Sequence, residues 1–451
     1  MENFKKLNFV EKVLFFAPFT MWFSYYPNFH FGKSAGANLE FSIALIYVVV
    51  LALAGIKTIY QNRKKLIKNN AVLLTGFFVF WNFLTILNTQ NLLRTVLVSG
   101  VWLVLWLDFL VILSLSKNKI LFQKITKNFI FSSLVMACLS IIQVIYGAWT
   151  DWGLCAGCRA QGFGFVRPSI FAIEPQFFGS MLLAPIVLLT HKIFSKKASK
   201  FEKITLWILL FSLYLTLSRG AIFAAIFAIL VLMIFHAIFT ELNPRISDGF
   251  YDSISKSINQ MSLGKISLPK IEKTGNHEIN EPAIEGFESQ HNNQKNIQES
   301  KKALFNGYVE KSTDERTKMS DLAVETWRSN IFAMFFGVGA GGSGAAIYNS
   351  THKIANTSEI VQNEFLSILL ELGIFGFLIW SLILFSIIRL AKDKKYIWAL
   401  VFAFLIQWCF FSGLPNALHI YLILAFIFAI IERAYEKKSE IDRRIYAKAE
   451  G

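Results

Sequence analysis

Leu92 to Leu113 reads LLRTVLVSGVWLVLWLDFLVIL. Apart from Arg94 near its start and Asp108 toward its end, the run is almost wholly apolar. Wound as a helix rising ~1.5 Å per residue, it is long enough to cross a hydrocarbon core roughly 30 Å thick. Working outward, comparable runs stand at Val10 to Tyr26, Leu39 to Tyr60, Ala71 to Leu87, Phe129 to Tyr146 and Gln176 to Phe194. They resume at Ile204 to Leu217, Ala221 to Phe239, Phe365 to Leu390, Tyr396 to Phe411 and Leu418 to Ile431. The first run has no small-residue cleavage site and a second span follows at once, so it reads as an anchor rather than a secretory signal.

Composition agrees. Hydrophobic residues make up 54% of the 451, Phe alone accounts for 45, and the mean hydropathy is +0.48. An ordinary soluble domain is less apolar than this. The expectation is an all-α polytopic membrane protein of about 11 to 12 transmembrane helices with one large polar loop. Three regions follow: 1–240 and 363–451 as transmembrane helices, the latter with a basic tail, and 241–362 as the polar loop.

The net charge of +15 could suggest nucleic acid, but its placement is topological. Alternate loops hold the cations: Lys57 to Lys68, Lys117 to Lys127, Lys192 to Lys203, and Arg389 to Lys395. The loops between them hold only Lys33, Arg94, Arg159 and Arg167. The positive-inside rule therefore places both termini in the cytoplasm. That count needs an odd number of crossings between Lys203 and Gln362. Either Ile331 to Ile347 makes an extra crossing, or Ile204 to Phe239 crosses once as a broken or re-entrant helix. From Glu241 to Asn330 there are 12 Lys and Arg against 14 Asp and Glu, which leans toward the outer face.

Inside the loop, 276–301 is rich in Asn, Gln, Glu and Ser, the composition of a flexible insertion. Asp314 to Phe335 has helical character, with Leu322, Val324, Trp327 and Ile331 near one face and a capping box at Ser312 to Glu315. Cys138 and Cys409 lie in apolar spans as packing residues. Cys155 and Cys158 lie in the loop Gly147 to Glu174, where a disulfide, free thiols or a metal site all remain open.

Several residues could carry chemistry. Arg219 is the only cation between Lys203 and Arg245, and an Arg within the bilayer costs on the order of 2.5 to 3.5 kcal/mol unless something offsets it. A ligand oxyanion would do so. Arg167 and Glu174, in RPSIFAIEP, stand where the chain re-enters the bilayer; they could bind phosphate and act as base, or snorkel and pair with each other. Arg316 and Arg328 flank the surface helix, where a lone Arg reads as solvated charge. The glycines from Gly337 to Gly344 could form an anion nest, although no Lys-Ser/Thr pair follows as in a Walker loop, or could serve a turn or close helix packing. His352 is near Gln362 in sequence and could share a cleft with it. Apart from Asp108, the membrane runs offer little that ionises.

SRGA at Ser218 to Ala221, ER at Glu315 and Arg316, Trp327, GVGAG at Gly337 to Gly341 and QNEFLSILLELGIFG at Gln362 to Gly376 follow in order. With RPSIFAIEP ahead of them, this succession resembles the O-antigen polymerase and O-antigen ligase superfamily over roughly Gly162 to Gly376. The resemblance implies a metal-independent glycosyltransferase of GT-C-like fold in the bacterial cytoplasmic (inner) membrane, with no cofactor and its active site on the outer face. Its donor would be an undecaprenyl-pyrophosphate-linked glycan, and its acceptor a lipid-linked glycan or lipid A core.

Arg219 and Arg316 match the family's pyrophosphate-binding positions, with Arg167 a third. Such arginines can stabilise the departing pyrophosphate through charge-assisted hydrogen bonds. Ligases of the family carry His at the head of the last segment, where this chain has Gln362, and Gln can orient a hydroxyl but cannot act as a base. The base would then be Glu174, His352 or Glu364. The leading expectation is a repeat-unit polymerase. The alternatives are a ligase and, more distantly, a flippase, for which repeated halves and mid-membrane charges would be expected.

Overall fold

A computed structural model describes residues 7–34, 37–147, 166–172, 174–240, 308–354, 356–357, 359–391, 394–411, 414 and 417–432. The insertion at 276–301 and the Cys155 and Cys158 pair lie outside them. The described chain is almost entirely helical, and seven of its helices are long and apolar enough to cross a membrane.

The chain begins with two short helices, α1 (Phe9–Phe15) and α2 (Ala17–Thr20), so the first apolar run is broken at Phe16. A hairpin follows, β1 (Asn28–Ser34) paired antiparallel with β2 (Ala37–Ser42). The hairpin adds one strand pair to a chain that is mostly helical among the described residues, and Leu39 to Ser42 form a strand rather than the start of a span. Then come α3 (Ile43–Leu66), α4 (Asn70–Leu84), α5 (Leu92–Leu115), α6 (Lys119–Gly147), α7 (Pro175–Phe194), α8 (Lys200–Leu215) and α9 (Arg219–Thr240). After the undescribed stretch come α10 (Tyr308–Arg328), α11 (Ile331–Phe336), α12 (Ser343–Thr351), α13 (Glu364–Leu390) and α14 (Lys395–Trp408), closed by α15 (Leu418–Glu432).

Local chemistry sets the helix starts. Ser42, Asn69, Asn91, Ser199 and Asn363 each accept a backbone N–H of the first turn with their side chains, satisfying donors that a helix leaves open. Pro at the first position of α7 presets its φ. The predicted cap at Ser312 falls inside α10, which already begins at Tyr308. Ile331 is exposed, because a break at Asn330 starts α11 anew; Leu322 is buried as expected, together with Ala323 and Thr326.

Contacts sort the helix ends into two groups. At one end Lys192 pairs with Glu202 at 2.5 Å, the ring of His236 stacks on Phe194, His191 stacks on Tyr396, and Asn69 donates to Glu432 at 2.7 Å. This is the lysine-rich end. At the opposite end a Cβ on Gly179 would lie 2.8 Å from Ala221 Cβ and 3.5 Å from both Leu213 and Ser218. α8 and α9 are therefore two helices joined by a turn rather than one broken helix, and of the two α9 is long and apolar enough to cross a membrane. The two helices that begin in segment 331–347 are six and nine residues long and a turn separates them, each shorter than the about 20 residues of a helical span.

Candidate functional site

The end opposite the lysines gathers three distant segments around the start of α7. Arg167, half-buried, donates from Nε to the carbonyl of Thr216 at 2.8 Å. Thr216 closes α8, and its Oγ1 accepts the N–H of Ser218 at 3.2 Å. Between them Leu217 takes a left-handed φ of 48°, which for a residue with a Cβ costs on the order of 1–2 kcal/mol. This tight turn delivers Arg219 as the first residue of α9. Arg219 is exposed, and among the described residues its guanidinium has no ion-pair partner.

α10 brings the third arginine. Arg316 Nη2 donates to Gln176 Oε1 at 3.3 Å, and Gln176 Nε2 donates to Glu174 Oε2 at 2.7 Å. Gln176 lies one turn ahead of Gly179, against which Ser218 and Ala221 pack. The start of α7 thus holds Arg316 through Gln176 and packs, at Gly179, on the α8–α9 turn that Arg167 braces and that Arg219 follows. Where an Arg167–Glu174 pair was one expectation, Arg167 donates to Thr216 O and Glu174 accepts from Gln176.

The Gly-rich run is occupied by the protein itself. Gly341 N–H donates to Glu371 Oε2 at 2.7 Å, and Ser343 and Ser367 donate to its Oε1 at 2.8 and 3.3 Å. Val338 and Gly339 N–H reach the carbonyls of Leu370 and Glu371, each at 3.0 Å. The two backbones cross so closely that a Cβ on Gly337 (φ 81°) would lie 2.1 Å from Glu371 O, and one on Gly373 (φ 68°) 2.3 Å from Phe335 O. Close packing around an internal carboxylate, rather than a ligand nest, is the role of these glycines. Asn88 and Thr85, in and beside the turn before α5, hold the same loop through Gly337 O and Ala340 N–H.

The base candidates separate clearly. His352 is the exposed left-handed cap of α12, with Tyr348 edge-on to its ring. Glu174 is exposed. Gln362 is half-buried, and its Oε1 finds no partner among the described residues. Glu364, only 3% exposed, accepts the Tyr421 hydroxyl at 2.5 Å and lines a polar cavity with Arg94, Ser367 and Glu371. Two residues before Tyr421, His419 meets Ser180 at 2.8 Å, so the start of α15 links the Glu364 cavity to the helix that carries Gln176.

Sequence reasoning missed Gln176, Glu371 and Tyr421. Glu371 lies within the quoted LELG, and the view that the spans hold little that ionises overlooked it. Arg328, the other flanking arginine, is exposed at the end of α10. No family model matches the chain, and no curated protein matches it.

Proposed function

We propose that this protein is a membrane glycosyltransferase, a repeat-unit polymerase that joins a lipid-pyrophosphate-linked glycan to a lipid-linked acceptor at the outer face of the bacterial cytoplasmic membrane. On this reading the bundle is GT-C-like, with about 11 to 12 crossings. The observation that carries it is that Arg316 ties to the start of α7 through Gln176 while Arg167 braces the adjoining α8–α9 turn, which carries the exposed Arg219. A concentrated anion is the ligand that such a group suits best.

The reaction follows from that placement. The glycosyl C–O bond to the pyrophosphate breaks, and the leaving lipid pyrophosphate keeps the electron pair. Preorganised guanidinium groups stabilise the growing charge where it forms, which is the efficient place for electrostatic help. The acceptor hydroxyl oxygen bonds to the sugar carbon and gives its proton to Glu364, oriented by Tyr421. Gln362, which has no basic site, orients the acceptor or donor instead.

The surface glycan of a deletion strain, resolved on a gel, tests this reading. Loss of a polymerase leaves core capped by a single repeat. Bare core with lipid-linked polymer accumulating would indicate a ligase instead, and repeats trapped inside the cell would indicate a flippase. Full-length polymer in strains carrying Arg219→Ala and Arg316→Ala would refute pyrophosphate binding by these residues.

A further inference from the structure

The short helix α11, IFAMFF, turns four apolar side chains outward: Ile331, Phe332, Phe335 and Phe336 are 67, 62, 38 and 42% exposed. Positions i, i+1, i+4 and i+5 share one helix face, and Ala333 is buried on the other side. A contiguous apolar face of this kind marks an interaction surface. It belongs to a segment too short to span a bilayer, inside what the sequence reads as a polar loop.

α13 fixes where the face sits. Phe335 and Phe336 meet the ring of Phe375 at 5.7 and 5.8 Å, and Phe336 stacks on Trp81 of α4 at 5.8 Å. Phe375 heads a stripe of exposed apolar residues, Phe375, Leu378, Leu382 and Phe385. Steps of three and four residues put the stripe on one face of α13, a helix long and apolar enough to cross a membrane. From Phe375 to Leu390, at the lysine-rich end, α13 covers only ~22 Å at ~1.5 Å per residue. A hydrocarbon core is roughly 30 Å thick, so Phe375 and the α11 rings against it lie within that core, toward the arginine end.

Backbone other than a spanning helix is tolerated at such depth only where the protein satisfies its polar groups. Around α11 it does. Asn330 Oδ1 accepts the N–H of Phe332 at 2.8 Å, Trp327 Nε1 donates to Met334 O at 3.2 Å, and Asn88 Nδ2 donates to Gly337 O. The N–H groups of Val338 and Gly339 reach the carbonyls of Leu370 and Glu371, just ahead of the non-helical Gly373 of α13.

We propose that α11 is a re-entrant wedge, entering the bilayer from the arginine end and leaving on the same side. Its outer face is covered by the acyl chains of that leaflet, because through Phe375 it continues the stripe that α13 presents to lipid. This inference stands whether or not the protein transfers glycans.

The test uses full-length protein with the four native cysteines replaced and one new cysteine carrying the fluorophore NBD, in nanodiscs of phosphatidylethanolamine and phosphatidylglycerol. Lipid with a doxyl quencher at acyl carbon 5 should lower the emission of labelled Phe332→Cys at least twofold, as it does for Phe385→Cys on the α13 stripe. Aqueous iodide should quench it at least threefold less than labelled Lys353→Cys, an exposed position. Ile331→Cys carries the same expectation, and the test if Phe332→Cys fails to elute as a folded protein. Iodide quenching as strong as at Lys353→Cys places the face in water and overturns the proposal. A label shielded from both quenchers shows that protein covers the face, a second copy where energy transfer between labelled chains accompanies it, and overturns the proposal as well.

Discussion

The carboxylate of Glu371 sits in the turn at Gly341, accepting its backbone N–H at 2.7 Å while Ser343 and Ser367 complete the shell. Glu371→Ala strands these buried donors at about 1–3 kcal/mol each. Glu371→Gln keeps one acceptor oxygen and costs less. Thermal unfolding of the detergent-solubilised protein should rank wild type above Glu371→Gln and that above Glu371→Ala. An Ala variant as stable as wild type would show that the shell does not hold the loop.

Glycines in this chain should differ sharply in tolerance. Gly337→Ala and Gly373→Ala place a methyl group within 2.1 and 2.3 Å of backbone oxygens at positive φ, so each destabilises by several kcal/mol, roughly the top of the usual range for strained substitutions. Gly100 has nothing within 4 Å of an added Cβ, and its replacement by Ala within α5 gains about 0.5–1 kcal/mol of helix propensity. Yield of monodisperse protein on gel filtration distinguishes the two classes. A loss on Gly100→Ala equal to that on Gly373→Ala would contradict the packing described.

The crossing helices were legible in the sequence because each must bury its own backbone polar groups in lipid, which forces a long apolar run. Leu92 to Leu113, for instance, lies within α5 as expected. Breaks and pairings were less legible. Leu39 to Ser42 adjoins a long apolar run and so reads as the start of a span, yet hydrogen bonding to residues 28–34 makes it a strand. Arg167 and Arg219 each stand out as lone cations, but Arg316 meets Gln176 across 140 residues, and no local spacing encodes that meeting. The Gly-rich run was visible, while its occupant, Glu371, was hidden by lying in an apolar helix.

Among the base candidates, Glu364→Gln should lower glycosyl transfer by about 10² to 10⁴-fold, the usual contribution of a general base. His352→Ala and Glu174→Gln should stay within about threefold of wild type, because both side chains are exposed and outside the polar cavity. Initial rates at saturating donor decide the matter. A His352→Ala rate as low as that of Glu364→Gln would reassign the base.

Orientation is open to labelling. Asn349 and Gln90, bonded to each other at 2.6 Å, belong to the arginine end, and Lys119 to the lysine-rich end. In a background with the four native cysteines replaced, a membrane-impermeant maleimide added to intact spheroplasts should label Asn349→Cys and spare Lys119→Cys. The opposite pattern would place the arginines in the cytoplasm.

The arginine cluster is tested most directly by the release of undecaprenyl pyrophosphate from a lipid-linked repeat unit by the purified full-length protein. The wild type should release it together with a lengthened glycan. Arg219→Ala and Arg316→Ala should each slow release by about 10²–10³-fold, as expected when one preorganised stabilising donor is removed. Release by both variants at the wild-type rate, or none by the wild type, would contradict the account.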